Sequence, residues 1–324
     1  MRFHSILLPA FAIVVALGAG SRPQFAPAAA TTLKKHITNE NKSRTTKVEF
    51  TVDGEAQGEA PEGFELTFEG NDDFLIVDEY VKSADGRPTE LKRTFEELST
   101  KNLQGNGNSE DEPQEIIKES ELTSKVVVFK WDDKKDEYTT AFDDGKGDDE
   151  LLADLDADLD FLGFLPGKDV KEGDEWEVDG SKARLILYPG GDLKLEAKDK
   201  DDTGKEINKE LRESIKGKLT LTHKGLKEEG DTQLLVFEVK GDLDASGDSE
   251  SEDGGTTTIH VSLVITGEIV WDATHNHVHS VSIEAEDKTL YAINADVDIE
   301  GENHTIARKF HFEGTQKFKV ELEK

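Results

Sequence analysis

Beyond residue 45 the chain alternates apolar and polar side chains with a period of two, over runs too long and too frequent for any other local structure. In the clearest run Ile259, Val261, Leu263, Ile265, Gly267, Ile269 and Trp271 take the odd positions, and the residues between them are mostly polar, as with His260, Ser262, Thr266, Glu268 and Asp272. Successive side chains of a strand point to opposite faces, so this pattern describes an extended segment with one face buried and one wet. Phe318, Val320 and Leu322 repeat it between Lys317, Lys319, Glu321 and Glu323, and shorter runs occupy 48–52, 64–68, 74–81, 125–131, 219–223, 234–239, 281–285, 290–299 and 306–312. Between them stand turn formers: Asp53-Gly54, Asp85-Gly86, Pro189-Gly190-Gly191-Asp192, Asp253-Gly254-Gly255 and Gly301. Short connections and a polar second face belong to antiparallel sheets, and doubly wound parallel folds tolerate neither. The expected class is mainly β: long antiparallel strands in two β-rich lobes or in one continuous curved sheet.

Two stretches depart from the alternation. Leu151, Leu152, Leu155, Leu159 and Leu162 recur at helical spacing before Gly163 and Pro166, which predicts one central amphipathic helix over about 149–163. Asn208–Ile215 reads as a second, short helix. The central helix divides the chain into an N-terminal lobe, 31–165, and a C-terminal lobe, 166–324. The Gly- and acid-rich stretches 104–115 and 244–256 read as loops.

Residues 1–30 have the order of a secretory signal: Arg2 and His4, an apolar run from Ile6 to Gly18, then small residues ending in Ala28-Ala29-Ala30. The apolar run is short for a membrane span. Cleavage after Ala30, or nearer Ala19, leaves a mature chain with no transmembrane segment, exported to the periplasm or beyond the cell. The 71 acidic and 39 basic residues give a formal charge of -32. Such a charge repels phosphate backbones and anionic lipid, so nucleic acid is excluded as a partner class. The absence of cysteine removes disulfides, thiolate nucleophiles and thiolate metal centres.

Three constellations offer chemistry. Asp242, Asp244, Ser246, Glu250 and Asp253 supply oxygen at relative positions one, three, five, nine and twelve, with Gly247 at six, the order of a compact calcium loop. Ca2+ is therefore a possible cofactor, against the competing reading of a solvated hairpin tip. His275, His277 and His279 alternate on a prospective strand start, where imidazoles share a face and suit zinc or copper; surface histidines beside a turn at 271–276 are the alternative. Asp154, Asp156, Asp158 and Asp160 would share one face of a strand, but on a helix they pair as a solvated acidic face. No nucleophile elbow, zinc-protease motif, phosphate loop or dinucleotide fingerprint occurs. A non-catalytic chain is expected.

Leu165-Pro166-Gly167-Lys168-Asp169-Val170-Lys171-Glu172-Gly173-Asp174-Glu175-Trp176 resembles a motif of exported bacterial proteins of unknown function, of the planctomycete type, in which Leu-Pro, Val and Gly-Asp-x-Trp lead from a helix into a strand. Gly267-Glu268-Ile269-Val270-Trp271-Asp272 is similar to the second half of that pattern, and the resemblance spans roughly residues 150–290. Some such proteins look similar to periplasmic lipoprotein-carrier folds, in which a strongly curved antiparallel sheet shelters an acyl chain. The resemblance implies no catalytic residue. The reading is an exported binding or structural protein of the periplasm or cell envelope, with any apolar small ligand on the concave sheet face; Trp176 and Trp271 are candidates for that face, but strand aromatics usually pack, which favours the core for both. A calcium-binding surface protein, and an enzyme whose site sequence does not reveal, are the alternatives.

Overall fold

The computed structural model describes residues 21–59, 64–106, 112–197, 205–251, 255–299 and 302–323. The alternation is realised as one antiparallel sheet of fourteen strands. In chain order these are β1 (Thr31–Val52), β2 (Glu55–Glu59), β3 (Leu66–Ala84), β4 (Arg87–Asn106), β5 (Gln114–Ser120), β6 (Val126–Asp132), β7 (Glu137–Phe142), β8 (Glu175–Asp179), β9 (Leu195–Ala197), β10 (Lys216–Glu229), β11 (Thr232–Glu250), β12 (Thr256–Asp272), β13 (His277–Ile299) and β14 (Glu302–Glu323). The spatial order is β7-β6-β4-β3-β1-β14-β13-β12-β11-β10-β8, with β2 paired to β1, β5 to β4 and β9 to β5. Most neighbours are consecutive in the chain. The others are β4 with β6, β5 with β9, β8 with β10, and the pairs of β1, which lies between β3 and β14 and pairs with β14 from Lys34↔Glu323 to Val52↔Ile306. Residues 31–165 and 166–324 thus share one hydrogen-bonded sheet, and the division near Pro166 separates no second sheet.

The predicted helix over 149–163 is not formed. Asp149–Leu152 and Leu162–Phe164 are single 3-10 turns, with non-helical backbone between them. The reason lies in the aspartates. Asp156 Oδ1 accepts from the Asp158 N–H (3.1 Å) and Asp158 Oδ1 from the Asp160 N–H (2.9 Å), so side chains take the donors a helix would use. Arg93 donates to the carbonyls of Asp156 (2.7 Å) and Ala157 (2.9 Å). Asp154 and Phe161 both sit at left-handed φ, 61° and 57°. A helix would also have stacked like charges at i, i+4. Helical residues lie instead at α1 (Arg184–Leu187), after a 3-10 turn at Gly180–Ala183, and at α2 (Lys205–Ser214), three residues earlier than the sequence suggested.

The stretch 244–256 is not a loop over most of its length either. Strand β11 runs to Glu250 and β12 starts at Thr256, in unbroken register from Leu234↔Asp272 to Glu250↔Thr256. On its other side β10 begins only at Lys216, opposite Asp244. Helix α2 takes over there: Ser214 Oγ accepts from the Ser246 N–H (2.8 Å) and Glu210 Oε2 from the Asp248 N–H (2.6 Å), capping donors that an edge strand would leave open.

One hydrophobic cluster runs through the whole sheet and the central segment. Phe74, Ile76, Leu91, Phe95, Phe237, Ile265, Trp271, Val281, Ile283, Phe318 and Val320 face inward, fully buried or nearly so. The segment 149–197 lies over this face, with Phe161 packed on Phe318 (centroids 6.2 Å) and Trp176 Nε1 donating to the Phe164 carbonyl (2.9 Å). Residues 21–30 also join the core. Phe25 is 1% exposed and meets Tyr80 edge-on at 5.2 Å, while Ser21 and Val170 exchange two backbone hydrogen bonds of 2.9 Å.

Candidate functional site

The five residues of the sequence-derived calcium set are not gathered. Asp242, Asp244, Ser246 and Glu250 lie on β11, and Asp253 falls outside the described residues. All four described positions share the solvent face of an extended strand. At about 3.4 Å per residue, Asp242 and Glu250 stand about 27 Å apart, beyond any shared ion. Their oxygens have local partners instead, as with Ser262 Oγ donating to Asp244 Oδ1 (2.8 Å) and, on the same face, Thr258 Oγ1 to Asp248 Oδ1 (2.6 Å).

The histidine stretch is arranged differently. Strand β12 ends at Asp272, and the turn closes through an Asn276 N–H to Asp272 carbonyl bond of 2.8 Å, with Asn276 at φ 61°. Asp272, His275 and His277 place one ligand atom each within 4.8 Å of one another. Asp272 Oδ2 lies 2.7 Å from His275 Nδ1 and 4.0 Å from His277 Nε2. The other oxygen, Oδ1, accepts from the N–H groups of Thr274 and His275, both at 2.8 Å. Asp272 and His277 are buried and His275 is 60% exposed, so the group opens to solvent on one side. His279 is not in the group; the register slips between Val270 and Trp271 and leaves it bulged out of the pairing. Burial alone would raise the Asp272 carboxyl, but the bonds from His275 outweigh it and hold it below the ordinary range. Burial lowers His277. Sequence reasoning found the histidines and missed Asp272, whose signal is its place as the last strand residue before a turn, where an aspartate caps the backbone.

A second constellation has no counterpart in the sequence reading. Lys35, Asp78, Tyr80, Arg93 and Asp160 form a network with at most 1% exposure at any member. Lys35 Nζ donates to Asp78 Oδ2, Tyr80 Oη and Asp160 Oδ1, each at 2.9 Å. Arg93 grips Asp78 with two bonds, Nε to Oδ1 at 2.7 Å and Nη2 to Oδ2 at 2.9 Å. Burial works against every charge here, yet the opposite charges prevail: Asp78 is held low and Lys35 and Arg93 are held high. The network has two positive and two negative members and joins β1, β3 and β4 to the central segment. Beside it Asp158, half-buried, is pushed up to about 7 by burial and then by the charge of Asp160. Of the sequence-derived aspartate ladder, only Asp160 enters this network.

The inward face has a third feature. Past the core this face turns polar on β1, β13 and β14, with Asn39, Gln316, Asp287 and Thr289, and beyond that belt it is apolar again but only half-buried. Ile259, Tyr291, Phe310 and Val48 form one cross-strand row over β12, β13, β14 and β1, and Ile293, Arg308 and Phe50 belong to the next. Phe68 meets Phe312 at 5.5 Å, Phe312 meets Phe310 at 6.5 Å, and Phe310 meets Tyr291 at 6.3 Å. Arg308 lies over the Phe50 ring at 5.7 Å. Trp176 and Trp271, by contrast, belong to the core: Trp271 is fully buried and Trp176 packs on Phe237.

No family model and no curated protein matches this chain. Among solved structures it is weakly similar to two mutants of Rh. blastica porin, each 9% identical over 89% of this chain and all of the porin chain, with a TM-score of 0.13. At that score the likeness carries neither fold nor function. Among the described residues no helix is long and apolar enough to cross a membrane.

Proposed function

We propose that this is an exported, non-catalytic binding protein of the cell envelope, which holds a small apolar ligand on the inward face of its sheet where the central segment no longer covers it. The observation that carries this reading is the half-buried row structure around Tyr291, Phe310 and Phe312. Along β12 the inward apolar positions run on from Ile265 through Leu263 and Val261 to Ile259, and on β13 and β14 apolar side chains return beyond Asp287, Thr289 and Gln316 without the central segment over them. Contiguous apolar surface of this kind marks binding sites. A charge of -32 opposes anionic lipid as the occupant and favours a neutral one. Export rests on the pattern of residues 1–20. The packing of Phe25 and the pairing of Ser21 with Val170 support cleavage near Ala19, the alternative that keeps residues 21–30.

The test is organic extraction of the protein purified from its own source, followed by titration of the extracted protein with a fluorescent acyl probe. The expected result is saturable binding, weakened at least about tenfold by Phe310→Ser together with Tyr291→Ser, since two lost aromatic contacts of about 1 kcal/mol each remove more than that. Non-saturable probe uptake, unchanged in the double variant, would sink the proposal.

A further inference from the structure

We propose that Asp272, His275 and His277 form a site for a divalent first-row transition metal, zinc being the ion whose habit fits best, at the turn between β12 and β13. The inference is independent of the apolar-ligand reading. It rests first on how each ligand atom is presented. A carbonyl oxygen only accepts, so the 2.7 Å contact between His277 Nδ1 and the Val278 carbonyl places the ring proton on Nδ1. Nε2 is left with its lone pair free, 4.0 Å from Asp272 Oδ2. That is the arrangement in which a backbone carbonyl orients a metal-binding imidazole. The Asp272 carboxylate is fixed likewise, with Oδ1 held by two backbone N–H groups and Oδ2 accepting from His275 Nδ1–H; metal binding at that nitrogen replaces the hydrogen bond and moves the proton to Nε2 of the exposed ring.

The second ground is distance. Bonds of about 2.0–2.1 Å at tetrahedral angles put ligand atoms about 3.3 Å apart. Asp272 Oδ2 is 2.7 Å from His275 Nδ1 and 4.0 Å from His277 Nε2. To reach the tetrahedral spacing, each gap changes by about 0.6–0.7 Å. The third gap, between the two imidazole nitrogens, lies within 4.8 Å and closes to the same spacing as the exposed His275 ring turns. The third ground is chemistry. Two imidazoles and one carboxylate suit zinc, copper or nickel, and disfavour calcium and magnesium, which take oxygen. Three protein ligands leave a fourth position for water on the exposed side of His275.

Bound metal would also tie separate parts of the chain. The turn is already held by the Ala273 N–H to the Gln233 carbonyl (2.8 Å) and by the Ala26 N–H to the Asn276 carbonyl (3.1 Å). A metal at its tip would brace the end of β12, the start of β13 and the N-terminal segment together.

The experiment is titration of the full chain, freed of metal by chelator, with zinc chloride in a calorimeter, with calcium chloride as control. Cobalt is the spectroscopic probe. Expected are one zinc per chain, no matching calcium heat, and the visible bands of tetrahedral cobalt. His275→Ala should weaken zinc at least about tenfold, the scale on which even residues behind the ligands act. Because His275 is exposed, this variant should fold, which its unfolding midpoint without metal checks; His277→Ala, at a buried position, is the second variant. No zinc uptake by the native chain, or native affinity retained in folded His275→Ala, overturns the assignment.

Discussion

Replacing Lys35 by Met isolates what the buried network contributes, because Met keeps most of the length of the side chain and removes its charge and three donors. Lys35 balances Asp160, while Asp78 keeps its two bonds from Arg93. Loss of Lys35 leaves one uncompensated carboxylate in a site of 0–1% exposure. Removing one partner of such a buried pair costs about 3–5 kcal/mol. For about 300 ordered residues the unfolding entropy is about 0.6 kcal/mol per kelvin, so the midpoint should fall by about 5–8 °C. Combining Lys35→Met with Asp160→Asn restores neutrality, and the amide introduced by Asp160→Asn can still accept from Tyr80, whose hydroxyl lies 2.7 Å from the Asp160 carboxylate. The double variant should therefore be more stable than the sum of the single losses allows, by at least about 1 kcal/mol. Urea unfolding at pH 7, followed by circular dichroism, measures all four members of the cycle. Strict additivity would refute the argument that charge balance governs this cluster.

The remaining predictions concern its neighbours. Asp158 titrates near 7 in the folded chain against about 3.9 unfolded, so between these values the folded state holds the extra proton and stability falls as pH rises. The contribution is fully present below about pH 4, is lost by about pH 8, and amounts to at most about 4 kcal/mol, less for partial solvent access; Asp158→Asn should flatten the pH dependence of the unfolding midpoint across that window, and an unchanged slope would contradict the assignment. Phe25→Ala should cost about 3–5 kcal/mol, because a 1%-exposed ring leaves a cavity against Tyr80. A loss under about 1 kcal/mol in thermal unfolding would mean that residues 21–30 are not part of the fold, and would return cleavage after Ala30 to favour.

The class and direction of the sheet were legible because strand alternation is a local signal. Leu263, Ile265, Ile269, Trp271, Phe318 and Val320 are buried where their period says they should be, and Ile259, Val261 and Leu322 are half-buried on the same face. What was not legible depends on distant partners. Leucine spacing at 151–162 spoke for a helix, but Arg93 and Lys35, more than fifty residues away, hold that segment open by taking its carbonyls and Asp160. The same holds for β11. Its acids between 242 and 250 suggested a loop while read alone, and only their pairing with β12 and the capping by Ser214 and Glu210 make them strand. In the candidate metal site the histidines were visible as a cluster, whereas Asp272 looked like one more polar residue of the alternation. Its role comes from a turn geometry that sequence indicates but does not locate to the atom.

The acidic composition acquires a meaning from the sheet that it lacked in the sequence. A long antiparallel sheet with an incompletely covered inner face risks pairing with further copies through that face and through its edges. Alternation assigns most charged side chains to the outer face, with Lys35, Asp78, Arg93 and Arg308 among the inward exceptions; outside, Lys34 bridges Glu96 and Glu323 and Lys218 meets Glu177, and the acids outnumber the bases overall. Such surface pairs add little stability. The excess acid does something else: a charge of -32 makes close approach of two copies unfavourable while leaving a neutral apolar molecule unopposed. The edge donors at Ser246 and Asp248 are closed by α2. Charge and capping together oppose association through the half-buried aromatic row and the sheet edge, which is the condition the proposed small-ligand site on an open sheet requires.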